Sequence, residues 1–125
     1  HASHASHSNH SNHSSHSSSD LRLKKNIQKI SNAMEKIQNL DGISFEWKKD
    51  NKKSIGLIAQ QVEQVFPELV STDKNTGLKS VQYGNLIAPL IEAIKQQQEQ
   101  IEELKVEIKR LQNKKTMETE VRNNY

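Results

Sequence analysis

Cysteine is absent from this 125-residue chain. That excludes a disulfide framework, a thiolate zinc site and a cysteine nucleophile, and leaves the redox compartment open. Apolar residues are few, 32% of the chain against roughly 45–50% in ordinary globular domains, and aromatics reach only 4%. A chain of this size and composition buries little alone and is expected to complete its core by oligomerising. Neither sign of charge dominates: the formal net charge is +3 and Lys and Glu are interspersed. A nucleic-acid partner would need a clustered basic face, so none is expected. No apolar run approaches the roughly 18 residues of a membrane helix, and no signal-peptide pattern is present, so the chain reads as soluble with no membrane partner. Outside the first residues there is no Gly-rich phosphate loop, metal motif or paired carboxylate arrangement. A conventional enzyme acting on a diffusible substrate is therefore not expected, and no cofactor is.

What is present falls into segments. Residues 1–18 are a His/Ser-rich tail in which His1, His4, His7, His10, His13 and His16 recur every third residue. Nothing larger than alanine accompanies them, so burial cannot offset the entropy of ordering the stretch. Imidazoles at this density bind nickel, copper or zinc adventitiously. The stretch reads either as a metal-binding or pH-responsive tail or as an affinity tag to be set aside from fold reasoning.

Composition changes abruptly at Ser19-Asp20-Leu21-Arg22-Leu23-Lys24-Lys25-Asn26-Ile27. Leu23, Ile27, Ile30, Met34 and Ile37 follow a three/four spacing, which predicts an amphipathic helix stopped by Asn39, Asp41 and Gly42. Ser19 or Asp20 is a suitable N-cap, and Asp20 suits the positive end of a helix dipole. A second reading makes Ser19 a nucleophile and Lys24 its base, since five residues across a cap and first turn allow contact. A lysine fills that role only when burial or neighbouring cations bring its pKa down from about 10.4.

Residues 19–84 read as a small globular unit. Ile43 to Trp47 alternates apolar and polar, the mark of a half-buried strand, and a charged loop turns at Asp50-Asn51. The apolar run Ile55-Gly56-Leu57-Ile58-Ala59 follows, with Gly56 marking a close backbone approach. Gln60 to Phe66 reads as a short helix stopped before Pro67. Leu69-Val70, a hairpin-like loop and a strand from Leu78 to Tyr83 complete the unit. Trp47, Phe66 and Tyr83 are expected as core or interface packing.

A long helix is expected over 85–115, with Asn85 as N-cap and Pro89 in its first turn. Ile87, Ile94, Ile101 and Ile108 fall at one heptad position and Leu90, Gln97, Leu104 and Leu111 at the other, four heptads in register. Gln97 interrupts the seam once, as polar residues that fix register or strand number do. Isoleucine and leucine in this order lean towards a dimer. Beyond Leu111 the pattern decays, and 116–125 is expected to fray. The fold class is thus α+β, mostly helical: a small strand-containing part with a long coiled-coil helix.

Three motifs in order carry a resemblance. Ser19 to Ile27, then Ile55-Gly56-Leu57-Ile58-Ala59-Gln60-Gln61-Val62 with Phe66-Pro67-Glu68-Leu69-Val70, then Ser80 to Lys95 resemble the endosialidase-type intramolecular chaperone domain. This is the self-cleaving domain of phage tail spike, tail fibre and neck appendage proteins, and the likeness runs from Ser19 to about Lys115. It implies a homotrimer, which overrides the dimer lean, assisting an upstream triple-stranded β-helical fibre segment of the same polypeptide. It further implies autoproteolysis between Ser18 and Ser19, a single-turnover serine autoprotease with Ser19 as nucleophile, Lys24 as general base, and Asp20 and Arg22 orienting. The setting implied is the host cytoplasm during virion assembly, with the parent protein in the virion tail or appendage. Two other readings stand beside it: a coiled-coil trimerisation module without chemistry, and a metal-binding protein working through its histidines.

Overall fold

A computed structural model describes residues 16–124. The alternating segment beginning at Ile43 forms β1 (Ile43–Glu46), which pairs antiparallel with β2 (Lys53–Gly56), Ile43 opposite Gly56 and Glu46 opposite Lys53. The turn between them uses Asn51 in the left-handed region at φ 59°, a conformation asparagine tolerates better than most residues. A second hairpin joins β3 (Val70–Thr72) to β4 (Lys79–Val81), also antiparallel. Its loop is built on Asp73, whose Oδ1 accepts from the amides of Asn75 at 2.7 Å and Thr76 at 3.0 Å. Gly77 closes the loop at φ 74°.

Between the hairpins lies α2 (Ala59–Val65), ended by a single 3-10 turn at Pro67–Leu69; the proline ring forbids continuation of the helix through Phe66. Val62, Phe66, Leu69 and Leu86 form the buried core, with Ile37, Leu40, Leu57, Val65, Val70 and Val81 packed against it. Two side chains staple distant segments together around that core. Tyr83 Oη accepts from the Leu57 amide at 2.9 Å and donates to the Leu57 carbonyl at 3.3 Å. Gln61 Oε1 accepts from the Asp41 amide, and Gln61 Nε2 donates to Asp41 Oδ2. Gly56 is required beneath the Tyr83 hydroxyl, because a Cβ there would lie 2.8 Å from it.

The region before β1 departs from the sequence expectation. The helix expected from Leu23 to Ile37 is confined to α1 (Ala33–Gln38); upstream there is one 3-10 turn, Leu21–Leu23, and then non-helical chain. Asn26 and Asn32 each adopt φ 53°, and a left-handed residue cannot be carried inside a right-handed helix. Leu23 and Ile27 are exposed instead of facing a core.

One capping expectation also changes, and the three aromatic residues divide between core and surface. Phe66 is buried, but Trp47 is 53% and Tyr83 51% exposed, so neither belongs to the core of the single chain. Trp47 follows directly on β1 and meets Phe45 edge-on at 4.9 Å between ring centroids. Asn85 does not cap the long helix: it lies within a 3-10 turn, Tyr83–Leu86, and its amide donates to Gln82.

The long helix α3 (Ile87–Asn123) starts just after that turn, with Pro89 in its first turn as expected. Its early part carries the globular unit through the buried Pro89 and Ala93, and α1 packs along it. From Gln97 onward every described residue of α3 is exposed. The helix also continues through 116–123, where fraying was expected.

Candidate self-cleavage site

Asp20 organises the local chain. Its backbone is extended, and its Oδ1 accepts from the Arg22 amide at 2.8 Å, while its carbonyl accepts from the Leu23 amide at 3.0 Å. The Arg22 guanidinium folds back, Nε donating to Oδ1 at 3.1 Å and Nη2 to Oδ2 at 3.0 Å. The guanidinium, and then the Arg22 amide, hold the Asp20 carboxyl below the usual carboxylate range, and the carboxylate in turn raises Arg22. Both groups are solvent-exposed, so the pair fixes geometry more than it adds stability.

That geometry is one tight turn, closed by the Lys24 amide donating to the Leu21 carbonyl at 3.1 Å. Lys24 leaves the turn extended, and its Nζ donates to Ser19 Oγ at 2.7 Å. In this arrangement the lysine is the donor. A base role reverses the direction, with a neutral amine accepting the serine proton. The first-turn amides of Arg22 and Leu23, which a helix start would leave free for an oxyanion, are engaged by Asp20 here.

Ser17, Ser18, Ser19 and Lys24 line one open cavity of about 750 Å³. Its apolar wall comes from Ile30, Phe66 and Leu69 together with Ile87, Pro89 and Ile91 of α3. The Ser18–Ser19 bond thus shares a cavity with the start of the long helix, and Ile87 belongs at once to this wall and to the heptad series. Glu68 and Asn85 reach the same cavity; no local spacing in the sequence marks either, because the fold brings them from separate turns. The remaining heptad residues, Leu90, Ile94, Gln97, Ile101, Leu104, Ile108 and Leu111, run away from the cavity as an exposed stripe on the single chain.

The histidine tail receives no structural account: His1, His4, His7, His10 and His13 lie outside the described residues, and His16 is exposed at their edge. Among the described residues no group of three or more His, Cys, Asp or Glu side chains is placed to hold a metal ion.

Residues 19–71 match the protein family described as chaperone of endosialidase. The match takes in 53 of the 125 residues. The matched segment begins at Ser19, the residue that receives the Lys24 hydrogen bond, and ends inside β3. Relatives extend the likeness into α3. The chain is 33% identical to the long tail fiber protein Gp37 of Salmonella phage S16 over 105 residues, 76% of this chain and 14% of that protein. It is 33% identical to Gp37 of Enterobacteria phage T2 over 94 residues, 69% of this chain and 7% of that one. With Gp37 of Escherichia phage AR1 it shares 40% identity over 63 residues, 44% of this chain and 6% of the relative. The chain thus spans about a seventh or less of the length of the curated relatives it matches.

Proposed function

We propose that this chain is the intramolecular chaperone of a phage tail fibre. It assembles as a homotrimer, promotes folding of an upstream triple-stranded β-helical segment of the same polypeptide, and frees itself by cutting between Ser18 and Ser19. The observation that carries this reading is the 2.7 Å contact of Lys24 Nζ with Ser19 Oγ, located where the family match begins.

The chemistry follows from that contact. Neutral Lys24 takes the Ser19 hydroxyl proton, and Oγ attacks the Ser18 carbonyl carbon. The tetrahedral intermediate collapses as the Ser19 nitrogen receives the proton, so the amide C–N bond breaks and an ester to Oγ remains. Water then hydrolyses the ester, leaving a carboxyl group on Ser18 and a free amine on Ser19. Asp20 and Arg22 act as orienting groups, holding the turn that brings Lys24 back to Ser19. The parent protein matures in the host cytoplasm and resides in the virion tail.

Assembly and cleavage are coupled in this reading through Ile87. A neighbouring copy seated on the heptad stripe covers the cavity that Ile87 walls and shuts Ser19 and Lys24 away from water. Cutting then follows correct trimerisation, and losing the chaperone leaves the fibre kinetically trapped in its fold.

The test is the intact mass of a precursor carrying its natural upstream segment, beside Ser19→Ala and Lys24→Ala versions. A cut before Ser19 that is absent from both variants is expected. An uncut chain that still trimerises would reduce the domain to a non-catalytic trimerisation module. A cut surviving both substitutions would point to an outside protease.

A further inference from the structure

A helix start leaves backbone amides without partners, and a side chain at the N-cap ordinarily accepts from one of them. α1 lacks that local solution, because Asn32 precedes it in the left-handed region and its side chain makes no cap bond. The Met34 amide instead donates to Gln96 Oε1 at 2.9 Å, across 62 positions of sequence. Gln96 lies on α3, one helical turn beyond Ala93 and so on the same side of that helix. Ala33 of α1 and Ala93 of α3 are both buried, and small side chains let two helix backbones approach closely enough for such a bond. Gln96 is off the heptad stripe, beside Gln97 but not part of the seam.

The stretch joining Lys24 to α1 has little else to hold it. Among the described residues, 25–31 make no hydrogen bond, and Ile30 contributes to the wall of the cavity that contains Ser19 and Lys24. That stretch is therefore held at its two ends, by the Asp20 turn at Lys24 and by the docking of α1. We propose that Gln96 is a positioning residue for self-cleavage, the latch by which the oligomerisation helix holds α1 and thereby Ile30 and Lys24 in register with Ser19. This rests on the reading of Ser19 and Lys24 as the cleaving pair. It makes α3 act on that pair twice, as cavity wall through Ile87 and as anchor through Gln96.

The experiment uses the full chain with its upstream fibre segment, carrying Gln96→Ala or Gln96→Glu, with cleavage rate, trimer content and hydrogen exchange at the Met34 amide as readouts. Removing the acceptor is expected to speed Met34 exchange about five-fold, the effect of losing a typical helix cap, and to slow cleavage by a comparable factor in chains that still trimerise. Gln96→Glu keeps an acceptor, and an anionic one suits a helix N-terminus; it is expected to retain both Met34 protection and cleavage. Three outcomes overturn the proposal: normal cleavage in Gln96→Ala, equal loss in the two variants, or loss of the trimer itself. An unaltered chain that is never cut refutes the Ser19–Lys24 pair and the positioning role together. Cutting that is indifferent to Gln96 refutes the positioning role alone.

Discussion

Leu104 and Val106 offer a sharp comparison on the exposed part of α3. In the single chain they are 61% and 68% exposed, nearly the same. Leu104 lies on the heptad stripe, and Val106 two residues later points to the outer side of the coil. Fully burying a leucine is worth about 1.5–3 kcal/mol, so covering the 61% left exposed at Leu104 is worth about 1–2 kcal/mol per copy. In the proposed trimer three such side chains meet in one layer, or about 3–5 kcal/mol in all. Leu104→Ala removes most of that and is expected to weaken the monomer–trimer equilibrium by roughly two to three and a half powers of ten. Val106→Ala removes a similarly exposed group that no copy covers, and is expected to change the equilibrium by less than about a factor of three. Sedimentation equilibrium over a concentration series reads both. Equal effects of the two substitutions, or a Leu104→Ala chain as associated as the unaltered one, would refute the seam and with it the trimer geometry built on it.

Two further outcomes follow from the globular unit. Phe66 is 4% exposed at the centre of the core, so Phe66→Ala is expected to cost about 3–5 kcal/mol, read as a lowered midpoint in denaturant; a loss below 1 kcal/mol would mean that the core is placed wrongly. The Asp20 carboxyl is held below 3.8, chiefly by Arg22. A depressed carboxylate stabilises its contact above the unfolded value and loses it as pH falls through the folded one. The Asp20–Arg22 turn is thus expected to survive at pH 4 and to open only on further acidification, with an NMR titration midpoint below 3.8; a midpoint at or above that value would sink the argument.

The legible parts of the fold were those in which local signals agree. Alternation from Ile43, the stop at Pro67 and the Asp73–Gly77 loop each correspond to an observed element, because period, breaker and turn residue point the same way. The stretch from Leu23 to Ile37 shows the opposite case. Its apolar spacing suits a helix, but Asn26 and Asn32 take the left-handed region, and the three/four pattern carries no record of that choice. A periodic pattern is necessary for an amphipathic helix and does not establish one. Ser19 and Lys24 were close enough in sequence for their contact to be anticipated. Gln96 was not, since a cap supplied from 62 positions away leaves no local trace. Trp47 illustrates a different limit: aromaticity suggests packing in a core or an interface, and on the single chain about half of this side chain is exposed just past the end of β1.

α3 has 37 residues, a rod of about 55 Å at the rise of an α-helix, and past Ala93 no residue of it is buried. A helix without tertiary support over that length draws its order from whatever lies alongside it. If the chain trimerises as proposed, its far end would act as a gauge of company, exchanging with coil at high dilution and stiffening beside sister chains. In the proposed trimer, a signal that depends on how many copies are present would enter at the tip of this rod and end at Ile87, in the cavity that also holds Ser18 and Ser19. On the proposed reading the long helix would be a counting device, converting stoichiometry into geometry at a single peptide bond.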